Sequence, residues 1–260
     1  MFKPTVICSW DFELNKSYER DFTIYIDSRI DINKEDKSFK VALVIEPFTI
    51  LNNYHNYLLD NYDKFDLILT YDTELLKLPN SKLFEFGTSW IRHNEYVYNE
   101  KKLGISTVVN RKEISDGHIL RKELWDRQNE IKDAHFFRSY NGSPDTFLDN
   151  QVLGDSKIPL FDYQYSIVIE NTKLDYYFSE KIIDCLLCKT IPIYYGANKI
   201  SNYFDNIIEV NTCDDIIAAC KNINIDSYNN SLNSIESNFK KAKKYASITT
   251  RLNKVLNKIK

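Results

Sequence analysis

The residues best suited to chemistry in this chain crowd into the stretch from Tyr165 to Gly196, YSIVIENTKLDYYFSEKIIDCLLCKTIPIYYG. Glu170-Asn171-Thr172, Tyr176-Tyr177 and Ser179-Glu180-Lys181 bring carboxylates, an amide, phenols, hydroxyls and an ammonium close together. Lys181, in the first turn of a helix opening near Ser179, lies beside free backbone N–H groups. A cation and a helix start together suit a diphosphate. A carboxylate such as Glu180 more naturally accepts hydrogen bonds from sugar or ribose hydroxyls. Glu followed by Lys at a helix start is common in itself, and the surrounding Glu170-Asn171 and Tyr176-Tyr177 make the cluster more specific.

Other candidates lie outside that stretch. Glu46 follows the wholly apolar run Val41–Ile45 and therefore stands at the carboxyl end of a strand covered on both faces, where ligands gather in α/β proteins. Its bland alternative is a solvated loop acid or a helix N-cap partner. His118 and Arg121 are three apart and share a side of a helix predicted over about 113–131. No acidic or cysteine partner at metal-ligand spacing accompanies His118, which favours a surface or capping role. Cys185 and Cys188 form a C-x-x-C pair placed mid-helix among Ile182, Ile183, Leu186 and Leu187, as buried core thiols are.

The elements that must carry these residues read as alternating strands and helices. Residues 165–169 and 190–195 are β-branched or aromatic runs flanking the helix from Ser179, giving a strand-loop-helix-strand unit with its loop at the carboxyl ends of the strands. Upstream, short strands at 5–8, 22–26, 41–45 and 66–70 and a helix at about 49–61 predict a small, largely parallel α/β domain. A short helix is expected at 72–78, a strand at 82–86, and a polar linker over 92–102. The second half opens with a strand at 105–109, passes a short strand at 134–137 and a loop-rich stretch containing Ser143-Pro144, and continues beyond Gly196 with a strand at 207–210 and a helix at 213–221. The predicted organisation is an N-terminal α/β domain over 1–100, a C-terminal α/β domain over 101–225, and a basic amphipathic helix over 226–260.

Composition limits the function classes. The chain has 260 residues, 43% hydrophobic and 27% charged, with a formal net charge of −3. Those values suit an ordinary globular protein and give no whole-chain attraction for nucleic acid. Five scattered cysteines are no disulfide framework and fit reduced, cytoplasmic thiols. The start, MFKPTVICSWDFELN, lacks a secretory apolar core, and no run approaches the roughly 18–20 apolar residues of a membrane-spanning helix. There is no G-x-G-x-x-G, P-loop, G-x-S-x-G or D-x-D. Near the C-terminus Ile248, Leu252, Val255 and Ile259 form one helical stripe surrounded by lysines. Such a tail suits peripheral contact with an anionic membrane surface, and equally suits docking across the domains with its Lys face in water.

Glu170-Asn171-Thr172, Tyr177-Phe178-Ser179-Glu180-Lys181 and Thr190-Ile191-Pro192-Ile193-Tyr194-Tyr195-Gly196 closely resemble the α-1,3-fucosyltransferase signature (glycosyltransferase family 10). There the pattern is F-E-N-S, then Y-V-T-E-K, then a helix and T-[IV]-P-[IV]-x-x-G. Thr172 and Ser179 differ from the family's Ser and Thr and keep a hydroxyl. The resemblance covers about 105–205 well and the first half loosely.

The resemblance implies a GT-B-like α/β fold, two Rossmann-like domains facing a cleft, with a C-terminal helix. It implies an inverting glycosyltransferase that moves fucose from GDP-fucose to a hydroxyl of a glycan acceptor, with no metal or other cofactor required. By position, Arg121, Asn171, Tyr177, Glu180 and Lys181 match donor-binding residues, Arg121 and Lys181 on the diphosphate and Glu180 on the nucleotide-sugar hydroxyls. Glu46 resembles the acid that serves as general base. Two alternatives stay open: the same fold using another nucleoside-diphosphate sugar, and a catalytically silent glycan- or nucleotide-binding homologue.

Overall fold

The structure is a computed structural model that describes residues 1–8, 12–27, 37–92, 95–96, 100–110, 112–139, 152–153 and 156–259. The predicted linker over 92–102 lies partly outside the described residues, and the loop around Ser143-Pro144 wholly outside them. The chain divides into two compact units. The first comprises Met1–Phe86, Asp175–Tyr177 and Ser247–Lys260, and the second Gly87–Leu174 and Phe178–Ala246.

In the first unit β1 (Thr5–Ile7), β2 (Phe22–Ile26), β3 (Phe39–Leu43), β4 (Leu67–Thr70) and β5 (Ser81–Leu83) form one parallel sheet in chain order. Successive side chains of a strand point to opposite faces, so each strand contributes to two cores. On one face Tyr25 meets Phe65, which Tyr57 of α1 (Phe48–Asn61) also touches, and Tyr54 of α1 donates to the Tyr25 carbonyl at 3.3 Å. On the other face Phe22, Ile24, Ile26, Val41, Leu43 and Ile45 pack against Ile248, Leu252 and Leu256. Those last three belong to α7 (Ile248–Leu256), so the C-terminal segment covers a sheet made by the N-terminal one.

This corrects the single helix predicted over 226–260. The region forms α5 (Ile225–Asn230), α6 (Leu232–Ala242) and α7, the first two in the second unit and the last in the first. Side-chain caps open α5 and α7, Asn224 accepting from Ser227 N at 2.9 Å and Ser247 from Thr250 N at 3.1 Å, while α5 gives way to α6 at Ser231 without one. The apolar stripe of the tail is occupied, with Leu252 and Leu256 buried and Val255 and Ile259 packed against the same core. Arg251 locks the helix by donating to the carbonyls of Glu85 and Phe86 at 2.8 and 2.7 Å. Among the described residues no helix is long and apolar enough to cross a membrane.

The second unit contains β6 (Lys102–Val109), α2 (Asp116–Asp126), β7 (Ala134–Ser139), β8 (Val152–Leu153), β9 (Tyr163–Ile169), α3 (Glu180–Leu187), β10 (Ile191–Tyr195), β11 (Ile208–Glu209) and α4 (Cys213–Asn222). Its strands run parallel in the order β11-β10-β9-β6-β7-β8. Chain order runs outward in both directions from the β6–β9 pair, so the winding reverses there. In doubly wound sheets that reversal opens a crevice at the carboxyl ends of the two strands, where ligands bind. The loops leaving β6 and β9 are thus the ones to inspect.

Because Leu252 is buried among the side chains of the first sheet, Leu252→Ala should cost about 2–4 kcal/mol by cavity formation. Urea unfolding measures it. A stripe reserved for a lipid surface would leave the unfolding midpoint unchanged.

Candidate functional site

The loop leaving β9 is tied shut by a buried carboxylate. Glu170 is fully buried and accepts from Ser179 N at 2.9 Å and from the Ser179 hydroxyl at 2.6 Å. Ser179 is the N-cap of α3, and its oxygen accepts from Lys181 N at 3.3 Å and Lys181 Nζ at 3.1 Å. The same Nζ lies 3.5 Å from Glu170 Oε2 and 3.4 Å from Glu180 Oε1. One carboxylate at a strand end thereby fixes where α3 begins, and Glu180 and Lys181 start the helix as the sequence predicts.

The loop leaving β6 meets this one. Gly117 N donates to the Asn171 carbonyl at 3.1 Å, and the Ser115 hydroxyl donates to the same oxygen. Ser115 has one hydroxyl proton and gives it to Asn171, so His118 Nδ1–H donates to Ser115 Oγ, 2.6 Å away, and Nε2 is the acceptor nitrogen. Arg121, buried on the next turn, donates to the Ile169 carbonyl and, at 3.1 Å, to Asn171 Oδ1. The position of Gly117 admits no side chain, since a Cβ there would stand 1.8 Å from the Glu170 carbonyl oxygen. His118 is thus a buried member of the junction rather than a surface histidine. Burial and the neighbouring charges of Arg121, Lys112 and Lys181 push it down to about 4, so it is neutral at pH 7.

Beneath α3 lies an ion network that the sequence reading did not contain. Lys157 Nζ reaches Glu180 Oε1 at 3.3 Å and Asp184 Oδ2 at 3.2 Å. Asp184 Oδ1 accepts from the Ser89 hydroxyl at 2.8 Å and Trp90 N at 3.0 Å. Burial opposes the charge on Glu180, yet the ammonium groups of Lys181 and Lys157 outweigh it and hold this carboxyl down at about 2. For Asp184 burial wins: with Glu180 adding to it against Lys157, the group is pushed up to about 6. Asp184 lies four residues after Glu180 on a helix of otherwise apolar buried residues, a readable anomaly. Lys157 carried no such signal.

Arg121, Asn171, Glu180 and Lys181 therefore come together at the carboxyl ends of β6 and β9. The other two predicted residues belong to the first unit. Glu46 is half-buried just beyond β3, and Tyr177, though it lies within the sequence of the second half, is buried against Tyr71 with ring centroids 5.0 Å apart. Tyr71 in turn donates to the Ile45 carbonyl at 2.8 Å. Cys185 and Cys188 are buried, as expected of core thiols, and Cys185 is pushed well above the ordinary thiol range by burial. Among the described residues no group of three or more His, Cys, Asp or Glu is arranged to hold a metal ion.

No protein-family model matches the sequence, and no curated protein matches it by sequence. Solved structures do match in fold. An α1,3-fucosyltransferase with GDP aligns with a TM-score of 0.54 at 16% identity, over 90% of this chain and 81% of that one. The crystal structure of an α1,3-fucosyltransferase with GDP-fucose gives 0.51 at 16% identity, over 90% and 82%. TarM gives 0.59 at 10% identity over 91% of this chain, which spans only 54% of TarM. The mixed α/β architecture with two parallel sheets is the GT-B glycosyltransferase fold.

The low value of His118 has a consequence for stability. A histidine held neutral in the folded state, with the ordinary value of about 6.5 when unfolded, contributes stability that is complete above that value and is lost as pH falls toward 4. We expect the melting temperature of His118→Gln to fall less steeply than that of the native protein between pH 6.5 and 4. Parallel pH profiles in scanning calorimetry would refute a buried neutral His118.

Proposed function

We propose that this protein is an inverting glycosyltransferase that transfers a sugar, fucose, from a guanosine-diphosphate donor to a hydroxyl of a glycan acceptor. The observation that carries the reading is the start of α3: a capped helix N-terminus with Lys181 beside it, at the winding reversal of a doubly wound sheet, next to Arg121 and Asn171. Such a place binds anions through N–H groups, helix dipole and side-chain cations together. That structures sharing the fold hold GDP and GDP-fucose supports the choice of donor.

In this reading the diphosphate leaves with its charge spread over Lys181, Arg121 and the α3 N-terminus, and Glu180, ionised at every physiological pH, accepts hydrogen bonds from the hydroxyls of the nucleotide sugar. Asn171 and Tyr177 complete the donor set. Glu46 takes the proton of the acceptor hydroxyl as that oxygen attacks the anomeric carbon opposite the departing diphosphate, which inverts the configuration in one displacement. The cations supply the leaving-group stabilisation that a metal supplies elsewhere, so the proposal includes no cofactor.

Binding of GDP, GDP-fucose and a panel of other sugar nucleotides, followed by saturation-transfer NMR or thermal shift, tests the donor. Selective binding of a different nucleoside diphosphate would change the donor, and binding of none would end the enzyme reading. With a bound donor in hand, Glu46→Gln should reduce transfer at least a hundredfold, in the range general-base catalysis supplies, while leaving donor affinity within about twofold. Full transfer by that variant would remove Glu46 as the base, and donor binding without transfer to any glycan would mark a silent binding homologue.

A further inference from the structure

The peptide that carries Glu46 is held in an unusual way. Asp27, the first residue after β2, accepts from Ile45 N through Oδ1 and from Glu46 N through Oδ2, both at 2.9 Å. Tyr71 donates to the Ile45 carbonyl at 2.8 Å, and His55 Nε2–H donates to the Glu46 carbonyl at 3.2 Å. All four main-chain polar groups of Ile45 and Glu46 are therefore held by side chains from neighbouring elements.

We propose that Asp27 is the positioning residue of Glu46, and that the two carboxyl groups form a coupled pair whose ionisation decides whether Glu46 is held ready to take a proton. This rests on the reading of Glu46 as the base. The ionised form of Asp27 accepts both N–H groups. A protonated carboxyl keeps only one good acceptor oxygen, which releases one end of the Ile45–Glu46 segment. A negative Asp27 beside Glu46 also makes Glu46 the stronger base, because two like charges resist sharing a site.

The arrangement costs the fold something. Asp27 adopts a φ of 47°, in the left-handed region that non-glycine residues visit at an energetic cost. Burial pushes its carboxyl up to about 7, against the two N–H bonds and with the charge of Glu46 adding to the rise. The other titratable groups around the pair are Tyr54 of α1, Tyr71 beyond β4, and His55 with Asp72, whose Nδ1 and Oδ2 lie 3.6 Å apart. Both tyrosines are raised by burial and stay neutral, and burial lowers His55. Asp27 is thus the carboxyl of this group that burial raises to near neutral pH. Two costly features, a strained backbone and a buried charge, converge on one residue whose carboxylate holds the Ile45–Glu46 segment.

The test has two arms on the full chain. In the first, which needs no substrate, the amide resonances of Ile45 and Glu46 are followed by NMR from pH 5 to 9. Both should shift with one shared midpoint near that of the Asp27 carboxyl carbon, and Asp27→Asn should abolish the shift. Amides that ignore the Asp27 titration overturn the clamp. In the second arm GDP release from GDP-fucose is measured with the glycan acceptor that the native protein turns over. Asp27→Asn should lower kcat at least tenfold at pH 8, leave the KM for GDP-fucose unchanged, and move the acid limb of kcat/KM down by at least one pH unit. Unchanged kcat, or a loss with an unmoved limb, makes Asp27 a structural support and overturns the proposal. Should Asp27→Asn not fold, Tyr71→Phe removes only the hydroxyl: kcat at least threefold lower with unchanged donor KM is expected, and native kcat overturns it. Failure of Glu46→Gln to impair transfer would remove the base reading while leaving the NMR arm intact, so the two failures are distinguishable.

Discussion

The tie between Glu170 and Ser179 is the constraint on which the second unit's site depends. A fully buried carboxylate must have its oxygens satisfied, and the donors that satisfy it are the main chain and hydroxyl of a helix N-cap. The demand of one buried charge for partners thereby becomes the orientation of α3. It also explains two glycines. Gly117 lets the start of α2 approach the Glu170 carbonyl, and at Gly196 a Cβ would meet the Tyr194 hydroxyl at 2.1 Å and Glu170 Cγ at 2.7 Å. The loops after β6, β9 and β10 all meet at the same residue.

Around that tie, charge is distributed unevenly on purpose of geometry alone. Lys157 is shared by Glu180 and Asp184, and Lys181 by Glu180 and Glu170. Glu180, with two ammonium neighbours, stays ionised, whereas Asp184, with one, is driven toward the neutral form. Two buried carboxyls one helical turn apart are thus shifted in opposite directions, burial prevailing at Asp184 and the two lysines at Glu180.

Much of this was readable from residue order, and the exceptions have physical causes. The strand at 22–26 and the helix start at Ser179 were legible because apolar runs and N-caps are local signals, and the second unit's fold followed from the strand-loop-helix-strand pattern. The region after 226 reads as one helix because no Gly or Pro interrupts it, and its apolar stripe is equally the mark of a lipid-facing and a core-facing surface. The cap at Ser247 is the local sign of the break before α7. Asp27 and Lys157 could not be found that way. Their partners are strand ends and helix faces far along the chain, 18 residues on at Ile45 for Asp27 and 27 on at Asp184 for Lys157, and no periodicity reports on such meetings.

The docking of α7 has a consequence for how the protein comes into being. Tyr18 and Asn253, which pair across the first unit, are separated by 235 positions. At a synthesis rate of roughly 5–20 residues per second, the sheet that leaves the ribosome first waits on the order of 10–50 s for the helix that covers one of its faces. Of the two units, the first begins to be made before the second and is completed after it. During that interval an apolar sheet surface stands open to chaperones and to other nascent chains.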